Sequence, residues 1–243
     1  MTVRRRADRL LVERGLFESR AKAQAAIAAG RVTANERLVA KASEEIPVNC
    51  TLRAEAAHPY VSRGGVKLAA ALEHYQFDPR NRVCLDVGAS TGGFTDVLLQ
   101  RGARRVYAID VGHDQLHPSL RAKSEVVLIE ATDIRRLDRT HLPELPDLIV
   151  VDVSFISLKA VLPATLAFAP ATAQLVALIK PQFEAGRHAI KRGIVRDPEI
   201  HAAVCNDVTA MVESLGWHPI DVISSPVLGG DGNREFLLGA VCG

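Results

Sequence analysis

Cys84-Leu85-Asp86-Val87-Gly88-Ala89-Ser90-Thr91-Gly92-Gly93-Phe94 reads as a strand that enters a tight glycine turn and leaves as a helix. The run 83–87 is nearly unbroken in its apolar character, which fits a parallel strand covered on both faces. Glycine after such a strand lets backbone approach a ligand where a Cβ would clash. The spacing is G-x-x-x-G-G, so it departs from the dinucleotide pattern G-x-G-x-x-G, and it lacks the G-K-[ST] of a phosphate loop. Similar apolar runs recur at 106–109, 126–129, 148–151 and 175–179, alternating with helical stretches. A helix at 198–215 follows, then strands at 220–223 and 236–241 joined by a glycine-rich loop that returns the last strand antiparallel. The expected fold class is therefore α/β, a Rossmann-like, mostly parallel sheet.

Carboxylates end two of these strands in useful places. Asp110 closes the second strand about twenty residues after the first, where a carboxylate binds both hydroxyls of a ribose. Asp133 follows the third strand, where an acceptor can receive an adenine amino group. A ligand with ribose and adenine but no demanding phosphate site fits S-adenosylmethionine. The expected contacts are Gly88, Ala89, Ser90, Thr91, Gly92, Gly93 and Phe94, with Asp110 and its neighbour Val111, and Asp133 with its neighbour Ile134.

Asp152 and Lys180 end the runs 148–151 and 175–179, so both belong at the crevice beyond the carboxyl ends of the strands. Lys67 opens a helix ahead of the first strand, capped in this reading by Ser62, and Glu235 heads the last strand. Two lysines and two carboxylates form a proton-handling set. An alcohol is a poor nucleophile until a base takes its proton. A lysine can be that base when burial and a second lysine lower its pKa against the pull of a carboxylate. His113 and His117 have H-x-x-x-H spacing, but Asp114 stands where a metalloprotease has Glu, and no metal is expected. Ser90 and Ser154 lack the G-x-S-x-G setting of a nucleophile elbow. Trp217 and Phe236 read as core.

The net charge of +2 hides an asymmetry. Residues 1–60 hold 11 Lys/Arg against 7 Asp/Glu, and the remainder holds 19 against 21. Arg4, Arg6, Arg9, Arg20 and Lys22 crowd the front, the footprint of a polyanion binder. There a helix over 7–14 ends at Gly15, and a second, capped by Ser19, ends at Gly30. Leu10, Leu11, Leu16, Ala23 and Ile27 supply their shared apolar side, and short strands follow around 31–33, 37–39 and 51–54. The expected organisation is a small α+β domain over 1–57, a linker at 58–61 and the larger domain over 62–243. Cys50, Cys84, Cys205 and Cys242 are scattered, and the basic N-terminus has no apolar signal core. No apolar run has membrane-spanning length. A cytoplasmic protein away from the membrane, monomeric or weakly dimeric, is expected.

The stretch R-A-D-R-L-L-V-E-R-G-L-F-E-S-R-A-K-A-Q-A-A-I-A-A-G-R-V at 6–32 resembles the small RNA-binding domain named after ribosomal protein S4. L-D-V-G-A-S-T-G-G-F-T at 85–95 resembles the class I methyltransferase signature in its FtsJ-like branch. S-R-G-G-V-K-L, I-V-V-D-V-S-F-I-S, L-I-K-P-Q-F-E and G-N-R-E-F-L-L match, at Lys67, Asp152, Lys180 and Glu235, the K-D-K-E tetrad of ribose 2′-O-methyltransferases. Together they make the chain resemble the TlyA family. That resemblance implies S-adenosylmethionine-dependent 2′-O-methylation of ribosomal RNA, on cytidine, with ribosomal RNA or ribosomal subunits as partner. Two other readings stay open: a non-enzymatic RNA-binding or ribosome-assembly factor, and a haemolysin, as the family has also been named.

Overall fold

The computed structural model describes residues 3–186, 190, 193–229 and 232–243. The chain divides into two units that meet between Pro59 and Tyr60. In the first, β1 (Arg4–Arg6) leads into α1 (Ala7–Glu13) and α2 (Arg20–Ala28). Then come β2 (Val32–Ala34), β3 (Arg37–Leu38), β4 (Glu45–Pro47) and β5 (Leu52–Ala54). Gly15 and Gly30 take φ of +68° and +69° just past the two helices, the left-handed conformation a helix terminus asks of glycine. The Ser19 hydroxyl accepts from the Lys22 backbone N–H and caps α2. Leu10, Leu11, Ala23 and Ile27 are buried together with Ile46. Leu16 corrects the expectation: lying beyond the Gly15 turn, it is 41% exposed. Strands β3, β2 and β5 make one small sheet, with Asn35 and Glu36 both at positive φ in its turn. The arginine-rich start pairs antiparallel with β4, a ladder that the charge pattern gave no reason to expect.

The second unit opens with α3 (Gly64–His74), β6 (Val83–Val87), α4 (Gly93–Gln100), β7 (Arg105–Ile109), α5 (Pro118–Arg121) and β8 (Val126–Ile129). It continues with β9 (Leu148–Val151), α6 (Leu158–Leu166), β10 (Gln174–Ile179), α7 (Pro181–Glu184) and α8 (Pro198–Ser214). The strands β11 (Trp217–Ser224) and β12 (Phe236–Cys242) end it. Their sheet has the order β11-β12-β10-β9-β6-β7-β8, and β12 alone runs against its neighbours. Side chains alternate between two cores, as the two-residue strand period requires. Leu85, Ile149 and Val151 face one layer with Val161 and Val208, whereas Cys84, Leu148 and Val150 face the other with Leu68 and Val97. Each fully buried Leu, Ile or Val contributes roughly 1.5–3 kcal/mol, so these central strands hold the unit together.

From β6 the chain winds outward through β7 and β8, while β9 and β10 lie on the opposite side. The crevice at this reversal, beyond the ends of β6 and β9, is where an open α/β sheet binds ligands. Backbone packs tightly there, since a Cβ at Gly88 would stand 2.5 Å from the Asp152 carbonyl oxygen. Ser62 does not cap α3. The cap position falls to Arg63 without a side-chain bond, and the Ser62 hydroxyl instead lies against Gly93. Of the glycine-rich loop before β12, residues 230 and 231 lie outside the described residues. Among the described residues no helix is long and apolar enough to cross a membrane.

Candidate active site

Strands β9 and β10 pair in parallel with Val151 opposite Ala177, so the residues that follow them emerge side by side. Lys180 Nζ consequently lies 2.6 Å from Asp152 Oδ1. The same ammonium donates to Ser154 Oγ at 2.8 Å. On the other flank of β10, Ile179 pairs with Phe236, which sets Glu235 beside Lys180 in the sheet order. Glu235 takes an ion pair from Lys67, which reaches in from the first turns of α3. Gly229 lies directly over the Glu235 carboxylate, where a Cβ would collide with Oε1. Lys67, Lys180 and Glu235 are all buried. The structure thus brings the four expected residues together as two ion pairs. Buried ions survive only when paired and hydrogen-bonded, and both lysines meet that condition here.

Two cavities meet at this place. One, of about 270 Å³, is lined by Lys67, Asp152 and Lys180 together with Ala89, Thr91, Gly93 and Phe94. The other, of about 320 Å³, is lined by Asp110, Val111, Asp133 and Ile134 with Gln115 and Phe155. Gly88, Ser90, Asp152 and Ser154 belong to the walls of both. Asp110 accepts from the backbone N–H groups of Ser90 and Gly112, each at 2.7 Å. That leaves lone pairs on both its oxygens, enough for two ribose hydroxyls. Asp133 is more committed: the Arg135 guanidinium bonds both its oxygens and holds its pKa down at about 2. An adenine amino group would share that carboxylate with Arg135. Gly92 lines neither cavity. Its φ of +95° makes the turn, and a Cβ would run into Leu116 and Leu120. Phe94, 2% exposed, packs mainly into the core beside Leu68. Asp86 sits wholly buried behind the glycine turn and accepts from the Thr95 hydroxyl at 2.6 Å. Burial pushes its pKa up to about 7.

Some participants were not singled out from sequence. Phe155 is 91% exposed at the cavity rim with φ +63°, and its ring lies 5.1 Å from that of Phe183. A bulky side chain in the left-handed region is uncommon. The available signal was an aromatic placed three residues after Asp152, in a loop where no strand could bury it. Gln115 accepts from Ser90 Oγ beside the Asp110 carboxylate, and its loop position gave no signal.

In the first unit the basic cluster is largely tied down. Arg4 donates to the Glu45 carbonyl, Arg6 and Arg20 both bind Asp8, and Lys22 pairs with Glu18. Arg9 is exposed and makes no ion pair among the described residues. His113 pairs with Glu130, and His117 caps α5. Among the described residues no cluster of three or more His, Cys, Asp or Glu is placed to hold a metal.

Residues 60–241 match the family model of FtsJ-like methyltransferases, and residues 5–49 match that of the S4 domain. The 16S/23S rRNA (cytidine-2′-O)-methyltransferase TlyA of Mycobacterium tuberculosis is 42% identical over 241 residues, 98% of this chain and 90% of that protein. Hemolysin A of Brachyspira hyodysenteriae is 39% identical over 234 residues, 96% of this chain and 98% of the relative. A solved structure described as a "putative hemolysin" from Streptococcus thermophilus is 41% identical with a TM-score of 0.77, covering 99% of this chain and 89% of that one. With the tetrad and the sheet order in place, these matches establish that the chain belongs to the FtsJ-like methyltransferases, within the TlyA family, and carries an S4 domain ahead of its catalytic unit.

Proposed function

We propose that this methyltransferase moves a methyl group from S-adenosylmethionine to a ribose 2′-hydroxyl of ribosomal RNA, a cytidine as in its mycobacterial relative, in the cytoplasm. The observation that carries the reading is the common wall of the two cavities at Gly88, Ser90, Asp152 and Ser154, with Lys180 fixed against it. A cavity of about 320 Å³ has the size of a small-molecule site, and the Asp110 carboxylate with its spare lone pairs suits a ribose rather than a phosphate. When bound, S-adenosylmethionine supplies an electrophilic methyl group on a sulfonium.

The chain's own residues would do the rest. Lys180 takes the proton of the acceptor hydroxyl as that oxygen becomes nucleophilic, the role of a general base. Asp152 holds the lysine in place, and the Lys67–Glu235 pair keeps a second cation in the same cavity wall. Gly88 through Phe94, Asp110 and Val111, and Asp133 and Ile134 are assigned to the cofactor. Gly92 and Phe94 act by shaping the turn. Residues 1–57 would form the RNA-binding domain, joined by 58–61 to the catalytic domain over 62–243. In the first domain Arg9 is an exposed contact, while Arg4, Arg6, Arg20 and Lys22 offer whatever donors their carbonyl or carboxylate partners leave.

Single-turnover methyl transfer to ribosomal RNA, with cofactor binding followed by calorimetry, tests this. Lys180→Ala should lower the rate by about 10²–10⁴-fold and leave cofactor affinity unchanged. Asp110→Ala should instead weaken cofactor binding by about 1.5–3 kcal/mol, the range for hydrogen bonds to a charged group. A wild-type rate in Lys180→Ala would reject the base assignment. Absence of any transfer by the wild-type chain would favour a non-catalytic RNA-binding factor.

A further inference from the structure

Lys180 has a second fixed partner outside the four-residue constellation. Its Nζ lies 2.6 Å from Asp152 Oδ1 and donates to Ser154 Oγ at 2.8 Å. Both partners, one an ion pair and one a hydrogen bond, come from the three-residue segment that leaves β9, so they move as one piece. A lysine ammonium is a point charge on a flexible stem, with three donors free to rotate about the last bond. An ion pair alone leaves that rotation open. The hydrogen bond to Ser154 closes it, while Asp152 Oδ1, which takes no hydrogen bond among the described residues, holds the nitrogen by charge.

We propose that Ser154 is a positioning residue for Lys180, an inference that rests on the reading of Lys180 as the base. Nitrogen in the neutral amine has four directions: its carbon, two N–H bonds and a lone pair. With one N–H held on Ser154 and the nitrogen drawn in by the charge of Asp152, the lone pair is turned away from Ser154 toward the wall that both cavities share. As the acceptor O–H bond breaks, its proton joins that lone pair and becomes the third N–H of the ammonium. With S-adenosylmethionine bound, the electron pair left on oxygen would form the new O–CH₃ bond and the C–S pair would leave with sulfur as a thioether. The charges around Lys180 are Asp152 from the end of β9, and Lys67 with Glu235 from α3 and the start of β12. Ser154 is the uncharged member of this set. It is exposed, so its hydroxyl contributes little to packing and its removal leaves the fold intact.

The test compares full-length Ser154→Ala, Ser154→Thr and Lys180→Ala in single-turnover transfer to ribosomal RNA, each as a pH–rate profile. Ser154→Ala should lower the plateau by about ten- to a hundredfold, the scale of misplacing a reacting group. It should also move the acid limb to lower pH, because the ammonium form loses an acceptor. Ser154→Thr, which keeps the hydroxyl, should bring the limb back. A wild-type profile in Ser154→Ala overturns the inference. So does a lowered plateau with an unmoved limb that threonine fails to restore, since that is what a purely structural role produces. If Lys180→Ala itself keeps the wild-type rate, the base reading falls. If only Ser154→Ala does, the base reading stands and the positioning role is lost.

Discussion

Asp8 in the first turn of α1 and Asp86 in β6 are both fully shut off from water, but their proton affinities move in opposite directions. Asp8 accepts from the Arg6 and Arg20 guanidinium groups and from the Gln24 amide. The Arg6 bond is the main cause that holds its carboxyl well below the usual carboxylate range. Asp86 has Thr95 on one oxygen, no partner for Oδ1 among the described residues, and the like charges of Asp152 and Asp110 nearby. Burial therefore dominates and raises it from 3.8 to about 7. Both are closed to solvent, yet Asp8 lies just beneath two partly exposed arginines whereas Asp86 lies deep in the sheet. Depth and partners together give opposite signs. Each unit consequently has its own pH dependence. The folded-state pKa of Asp8 is depressed, so its stabilisation is present above its unfolded value and is lost as pH falls through the folded one. Asp86 is raised, so its contribution is complete below 3.8 and is lost as pH climbs toward about 7.

The largest effect expected from this contrast lies at Asp8. Asp8→Asn removes the charge that two arginines share, and should destabilise the first unit by about 2–3 kcal/mol at neutral pH. The figure sits below that for a fully buried pair because both arginine side chains are partly exposed and can rehydrate. Hydrogen exchange over α1 and α2 would read the loss, while fluorescence of Trp217, the single tryptophan, reports the other unit in the same sample. Unchanged protection in α1 and α2 would mean that the arginines do not depend on Asp8, and the contrast would fail on that side.

Asp86→Asn should act the other way. A rise from 3.8 to about 7 corresponds to roughly 4 kcal/mol of unfavourable folding free energy above that pH, an upper bound. The amide introduces a buried donor of its own, which reduces the expected gain to about 2 kcal/mol in mildly alkaline buffer. The gain should shrink as pH falls below about 7 and vanish only below 3.8, where the wild-type carboxyl is protonated in both states. Urea titrations followed at Trp217 across that interval check both the sign and the slope. A variant less stable than wild type at every pH would show Asp86 to be stabilising as an ion.

None of this opposition was visible along the chain. Asp8 meets Arg20 and Gln24 because two helices fold against each other, and Asp86 meets Thr95 because the glycine turn reverses the chain. What sequence did carry was the sheet: five apolar runs, interrupted only by Asp86, became β6 to β10, because strands covered on both faces are built almost wholly of apolar residues. The gathering of Lys67, Asp152, Lys180 and Glu235 was legible for a related reason, since strand ends in this fold converge on one crevice. The β1–β4 ladder was not, because backbone pairing of Arg4 to Arg6 leaves no trace in side-chain pattern. Nor was the commitment of Asp133 to Arg135, a contact that depends on the short turn following β8. Phe155 escaped because a lone aromatic reads as core unless the backbone is known to turn it outward.

The smallest change sharpens the contrast most directly. Thr95 is fully buried and its hydroxyl donates to Asp86 Oδ2 at 2.6 Å, so Thr95→Val keeps the shape and deletes the one side-chain donor. A hydroxyl that donates to a carboxylate favours the charged form, so its loss should push the Asp86 pKa further up. Stability should then fall by about 1 kcal/mol near neutrality, and the decline with rising pH should continue to higher pH than in wild type. In an Asp86→Asn background the same Thr95→Val change should cost less, because no charge remains to be favoured. That non-additivity is the decisive quantity, since two contacting residues couple only through what they share. Equal costs of Thr95→Val in both backgrounds, from urea titrations at matched pH, would assign the threonine to packing and leave burial alone to account for Asp86.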